Sequence, residues 1–157
     1  MHYKIHAIDV KNALKNYIWL LEDTRTQEVV AVDPTEAALV TDFCEQHQLE
    51  LKQIWLTHWH RDHTDGVQGL LTEQNSPVFG PRDELSKISF ISNPLQHNDH
   101  FHFNDLKVEI IATPGHTLGH IVYFIEEIDT LFGYSADKEG EDDGYTMKTG
   151  VQAILNS

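Results

Sequence analysis

Residues Thr57 to Gly66 read THWHRDHTDG and place His58, His60, Asp62 and His63 within six positions, a run of the form H-x-H-x-D-H. Three imidazoles and a carboxylate so close together ask for a metal ion. Imidazole nitrogen and carboxylate oxygen suit zinc, iron or manganese in a catalytic site. A second stretch, Thr113 to His120 (TPGHTLGH), adds His116 and His120. Taken together, the two stretches point to a hydrolytic metal centre built from segments far apart in the chain.

Such a centre needs about three protein ligands per ion and an open coordination position. A bound ion lowers the pKa of its water to about 7, and a pair of ions about 3.5–4 Å apart also polarises a carbonyl. His58 and His60 are two residues apart and point the same way if the backbone is extended. Asp62 and His63 then turn toward a neighbouring position, so one loop offers two ligands to each of two ions. His116 completes the first set, and a bridging carboxylate with one more histidine would complete the second. His120 reads as a supporting or structural residue at a strand start. His100 and His102 alternate with Phe101 and Phe103 and, with His97 nearby, fit the exposed face of a half-buried strand. His2, His6 and His47 have no supporting context. Asp33, after a strand and before Pro34, either caps a turn or orients a ligand histidine.

The elements that must position these residues follow from hydrophobic periodicity. Residues 2–9 alternate as a strand. Tyr17 to Leu21 and Glu28 to Val32 are two more, and Thr35 to Gln48 has helical spacing with Ala38, Leu39, Phe43 and Cys44 inward. Leu51 to Leu56 is a buried strand running straight into the histidine cluster. Asp65 is an N-cap candidate for a helix over Val67 to Gln74. Pro77–Gly80, Asp99–Phe103, Leu106–Thr113, His120–Ile125 and Thr130–Phe132 read as strands, and Arg82–Ser92 has no clear pattern. The order predicts a mixed α/β (α+β) fold with the metal loop at the carboxyl end of a strand, a common ligand position in layered sheets. Beyond Phe132 the character changes: Asp137 to Asp143 carries five acidic residues, and a short helix around Val151–Leu155 is the one element expected there.

The chain has 157 residues, a size typical of one domain, and is 40% hydrophobic. Acidic residues outnumber basic ones 25 to 11, for a formal charge of -14, which argues against nucleic acid and anionic membranes as partners. A single cysteine, Cys44, fits a reducing compartment and reads as a small buried hydrophobe. The N-terminus does not read as a signal peptide, and no apolar run reaches membrane-spanning length. A cytoplasmic location is the expectation.

The segments NYIWLL (Asn16–Leu21), VVAVDP (Val29–Pro34), LTHWHRDHTDG (Leu56–Gly66) and ATPGHTLGHIVYF (Ala112–Phe124) resemble the metallo-β-lactamase superfamily. They look most like its glyoxalase II branch, the hydroxyacylglutathione hydrolases, over roughly residues 1–132. The resemblance implies a metallo-β-lactamase-like αββα sandwich. It also implies hydrolysis of S-D-lactoylglutathione to D-lactate and glutathione, within methylglyoxal detoxification, by a hydroxide shared between metal ions. By that likeness His58, His60 and His116 hold one ion, Asp62 and His63 begin the second site and act in catalysis, and zinc, as one or two ions, is the metal, with iron or manganese as alternatives. In the family a TLF-like strand continues into a Gly-Asp whose carboxylate bridges the two ions. Here Leu131-Phe132 is followed by Gly133-Tyr134-Ser135-Ala136-Asp137, so Asp137 is the nearest candidate, displaced. No histidine follows His120 to complete the second site. Residues 1–132 therefore read as an incomplete metallo-β-lactamase-like domain and 133–157 as a divergent acidic tail, with activity impaired by truncation. The alternatives are a persulfide dioxygenase or other hydrolase on the same scaffold, and an inactive metal-binding half-fold that self-associates through its incomplete core.

Overall fold

The computed structural model describes residues 2–11, 17–57, 66–73, 76–112, 121–134 and 145–149. Eleven strands and two α-helices are present among them, in two sheets. The first sheet has the order β1 (Tyr3–Asp9), β2 (Tyr17–Asp23), β3 (Glu28–Val32), β4 (Glu50–Trp55), β5 (Val78–Pro81) and β6 (Asn93–Leu95). β1, β2 and β3 pair antiparallel, and β3 to β6 pair parallel. The second sheet is antiparallel throughout, in the order β11 (Tyr145–Thr149), β10 (Thr130–Tyr134), β9 (Ile121–Ile125), β8 (Leu106–Ala112) and β7 (His100–Phe103).

Why the sheets stack is written in side-chain parity. In β3, Val30 and Val32 face the second sheet, while Val29 and Ala31 face the helices. In and just after β4, Trp55 takes the first direction and Ile54 and Leu56 the second. A strand covered on both faces reads as a continuous apolar run, as VVAV and IWL do. In the second sheet β8 alternates between buried and more exposed residues, whereas β9 is apolar on both faces. Ile121, Tyr123 and Ile125 enter the inter-sheet core, and Val122 packs with Leu131, Ile111 and Phe124 on the other face. Trp55 and Tyr123 stack across the core with ring centroids 5.0 Å apart and 9° between planes, and Phe101 and Phe132 meet Trp55 edge-on.

Helix α1 (Ala37–His47) crosses between parallel strands β3 and β4 and ends in a left-handed Gln48, where the amide of Leu49 donates to the carbonyl of Cys44. Its inner face is rotated from the expected one. Val40 and Cys44 are buried, Leu39 and Phe43 are half-buried, and Ala38 is exposed. Val40 and Cys44 are one turn apart, and the stripe they define passes over Ala37 instead of Ala38. Helix α2 (Val67–Glu73) packs beside α1 and buries Val67 and Leu70. The result is a helix–sheet–sheet layering, part of the expected sandwich.

Two strands escaped sequence reading. β6 is only three residues long, too short to show alternation. β11 pairs with β10 in register Thr130↔Thr149 through Tyr134↔Tyr145, so the second sheet continues across residue 132. Residues 82–92 form a short 3-10 turn (Arg82–Glu84) followed by turns that bury Ile88 and Ile91. The expected helix around Val151–Leu155 lies outside the described residues, as does the expected N-cap Asp65.

Candidate metal centre

The candidate ligands His58, His60, Asp62, His63, His116 and Asp137, and the neighbouring His120, lie outside the described residues. What is described is the frame from which their segments depart. The first departs after Thr57, just past the carboxyl end of β4. Thr57 is fully buried and held by Asp33: its amide donates to Asp33 Oδ1 at 2.9 Å and its hydroxyl to Asp33 Oδ2 at 2.8 Å. Asp33, 1% exposed, takes a left-handed φ of 50°, which aspartate tolerates, and its own amide donates to the carbonyl of Trp55 at 2.9 Å. Asp33 thus shapes a turn and holds the backbone at Thr57, while the other reading, that it orients a ligand histidine, concerns residues outside the described ones.

The second segment leaves β8 after Ala112 and returns at Ile121, and these two residues are paired across β8 and β9. The Ile121 amide then donates to the carbonyl of Thr57 at 3.0 Å. One hydrogen bond therefore joins the root of the histidine loop to the root of the His116 segment, although 64 positions separate the residues in the sequence. Beneath this joint, the Tyr123 hydroxyl donates to the carbonyls of Leu56 at 2.6 Å and Phe79 at 3.2 Å. Burial, and the nearby negative charge of Asp33, push the Tyr123 phenol well above its ordinary range, so it stays a neutral donor.

The far end of the histidine loop is fixed by close contact. A Cβ on Gly66 would lie 2.4 Å from the carbonyl oxygen of Pro34 and 2.7 Å from the amide nitrogen of Glu36, so only glycine lets the chain re-enter α2 this close to the Asp33–Pro34 turn. The start of the second segment is held from outside: the Ala112 amide donates to His97 Nδ1 at 3.0 Å.

Among the described residues, no group of three or more His, Cys, Asp or Glu side chains is placed to hold a metal. His100 and His102 are exposed on β7, as expected. His6 pairs with Glu22 at 2.7 Å, and His47 stacks on Phe43. Cys44 lines a shallow cleft with Leu49, Leu51 and Leu70 at the opposite end of β4 from Thr57. Burial pushes its thiol up to about 11, which makes it inert. Sequence reading missed Thr57, Tyr123 and His97. Thr57 carried a signal, since it stands between a buried strand and the first histidine. Tyr123 and His97 carried none, because their partners are distant in sequence.

Comparison with solved structures follows this frame. The chain is similar to the B3 metallo-β-lactamase BLEG-1, with a TM-score of 0.72, 21% identity and coverage of 83% of this chain and 71% of that one. The fold is that of the metallo-β-lactamases. A second structure on this metallo-β-lactamase fold, ETHE1 from Myxococcus xanthus, superposes with a TM-score of 0.69 at 26% identity, over 87% of this chain and 58% of the other. In sequence the chain is homologous to proteins named hydroxyacylglutathione hydrolase. It is 40% identical over 124 residues to one from a Marinomonas species, covering 74% of this chain and 47% of that protein. Another, from Idiomarina loihiensis, is 32% identical over 150 residues, covering 92% of this chain and 58% of the relative. The chain thus spans about half the length of the curated relatives it matches. A match over 92% of 157 residues runs past position 132 from whichever end it starts. No family model matches the chain. No helix among the described residues is long and apolar enough to cross a membrane.

Proposed function

We propose that this chain carries the metal-binding part of a hydrolase acting on S-(2-hydroxyacyl)glutathione thioesters, with S-D-lactoylglutathione as the substrate and zinc as the metal. The observation that carries the reading is the Thr57–Ile121 hydrogen bond, which roots two histidine-bearing segments at one point beyond the carboxyl ends of parallel strands. Ligands in open layered sheets gather there. Homology to proteins named hydroxyacylglutathione hydrolase supports the choice of reaction and substrate.

The donor set fits the metal. Imidazoles of His58, His60 and His116 would hold one ion, and Asp62, His63 and Asp137 would contribute to a second. When bound, the metal supplies a Lewis acid for the thioester carbonyl and lowers the pKa of water to about 7. The rest is work for the chain itself. Asp33 holds Thr57, the residue immediately before the histidine cluster, by two hydrogen bonds. Tyr123 ties that root to the second sheet, and Gly66 returns the loop against the Pro34 turn. A single cysteine that is buried and inert is compatible with a reducing, cytoplasmic setting.

The test is zinc titration of the full chain beside release of free thiol from S-D-lactoylglutathione. Zinc binding and thiol release that both disappear in His58→Ala support the proposal. Oxygen uptake with glutathione persulfide and no thioester cleavage would redirect it to dioxygenase chemistry on the same scaffold, and a chain that binds no zinc would overturn it.

A further inference from the structure

Between the two sheets the chain crosses from β6 to β7 through Gln96–Asp99. This turn is closely built: the amide of Asp99 donates to the carbonyl of Gln96 at 3.0 Å, the amide of Gln96 donates to Asp99 Oδ2 at 2.9 Å, and Asn98 sits at a φ of 74°. Its far side runs along the edge of β8. The amide of Asn98 donates to the carbonyl of Ile110, and the amide of Ile110 donates to the carbonyl of Asp99, both at 2.9 Å. In an antiparallel pair, amides two residues apart point to the same edge. The Ala112 amide therefore points where that of Ile110 does, toward the turn. The backbone has by then veered back to β6 in the other sheet. The group that meets Ala112 is the His97 imidazole, through Nδ1 at 3.0 Å.

We propose that His97 is a positioning residue for the segment that carries His116. Its unprotonated Nδ1 stands in for a strand carbonyl at the last residue of β8 and extends the sheet edge to the point where that segment departs. The bond requires the neutral ring with its proton on Nε2, since a proton on Nδ1 leaves no acceptor. Across the strand, Ala112 is paired with Ile121, which is joined to Thr57. His97 thus holds the outer side of the joint that Asp33 holds from within. This role rests on the reading of His116 as a ligand.

The acceptor atom can be moved by substitution. Asparagine places its Oδ1 on Cγ, where Nδ1 sits in histidine, whereas glutamine places its acceptor one bond further out. The experiment compares the full chain with His97→Ala, His97→Asn and His97→Gln. It reads zinc affinity by competition with a chelator and amide hydrogen exchange at Ala112, with exchange at Val108 in the middle of β8 as a control for folding. One exposed hydrogen bond corresponds to about fivefold in an equilibrium. Zinc affinity about fivefold weaker and Ala112 exchange about fivefold faster are expected in His97→Ala and His97→Gln, with both restored in His97→Asn and Val108 unmoved. Zinc affinity that His58→Ala abolishes and His97→Ala leaves unchanged would overturn the inference and leave the ligand reading standing. His97→Gln restoring affinity as well as His97→Asn would also overturn it. If the parent chain binds no zinc, the ligand reading fails, and this role fails with it.

Discussion

The two segments that bear the candidate ligands leave the fold from roots of different kinds. The first root, Thr57, lies fully buried just past the end of β4 and is held by two bonds to a buried carboxylate, with the Trp55–Tyr123 stack nearby. The outer side of the second root, Ala112, is exposed and held by one bond to an exposed imidazole. A buried bond to a charged group contributes more than an exposed neutral one, and its loss strands a buried donor. The root at Thr57 is therefore the more firmly held of the two, and the root at Ala112 the softer.

The largest expected effect tests what the two roots share. Trp55→Ala removes the ring stacked on Tyr123 and should cost about 4 kcal/mol in chemical denaturation. If the loss is under about 1 kcal/mol, the inter-sheet stack is not what supports the joint. Next is the stiff root. Asp33→Ala removes two hydrogen bonds to the buried Thr57 amide and hydroxyl and should cost about 3 kcal/mol, with a loss of zinc affinity clearly larger than in His97→Ala. Equal losses in the two variants would break the contrast between the roots. Gly66→Ala pushes a methyl into the Pro34 carbonyl and should cost about 2 kcal/mol, and a neutral result would show that the loop's return is not tight.

Smaller effects sharpen the same contrast. Tyr123→Phe removes the donor to Leu56 and Phe79 while keeping the ring, for a loss of about 1 kcal/mol in the same denaturation assay. Alkylation of Cys44 serves as a reference for the core away from either root. With its thiol raised to about 11 by burial, native protein at pH 8 should react with iodoacetamide roughly a hundredfold or more slower than denatured protein. Rapid labelling would mean that the layer between α1 and β4 opens readily, and the stiffness inferred at the first root would then need to be local.

Much of this frame was legible in the residues. VVAV and IWL read as strands because both faces of a central parallel strand are apolar, and THWHRDHTDG read as a ligand loop because it begins where that strand ends. IVYFI likewise read as a strand, a short unbroken run of β-branched and aromatic residues. Less was legible where an element is short or its partner remote. Three residues of β6 show no period, and β11 is a strand because β10 is there to pair with it. The inner face of α1 was misjudged by one residue, since a helix with apolar side chains at several neighbouring positions takes its rotation from the sheet it lies on.

What the sequence determined by itself is local: which stretches alternate, where strands end in turns, and which residue types stand ready to bind a metal. Hydrophobic period and ligand spacing are properties of contiguous residues, so they survive without a fold. What the tertiary structure decided is which distant residues act together. Asp33 meets Thr57, Ile121 meets Thr57, Tyr123 meets Leu56, and His97 meets Ala112. Each pairing joins residues between 15 and 67 positions apart, and no local pattern encodes it. It follows from burial: once two sheets close over a common core, each polar group left at their seam must find a partner there.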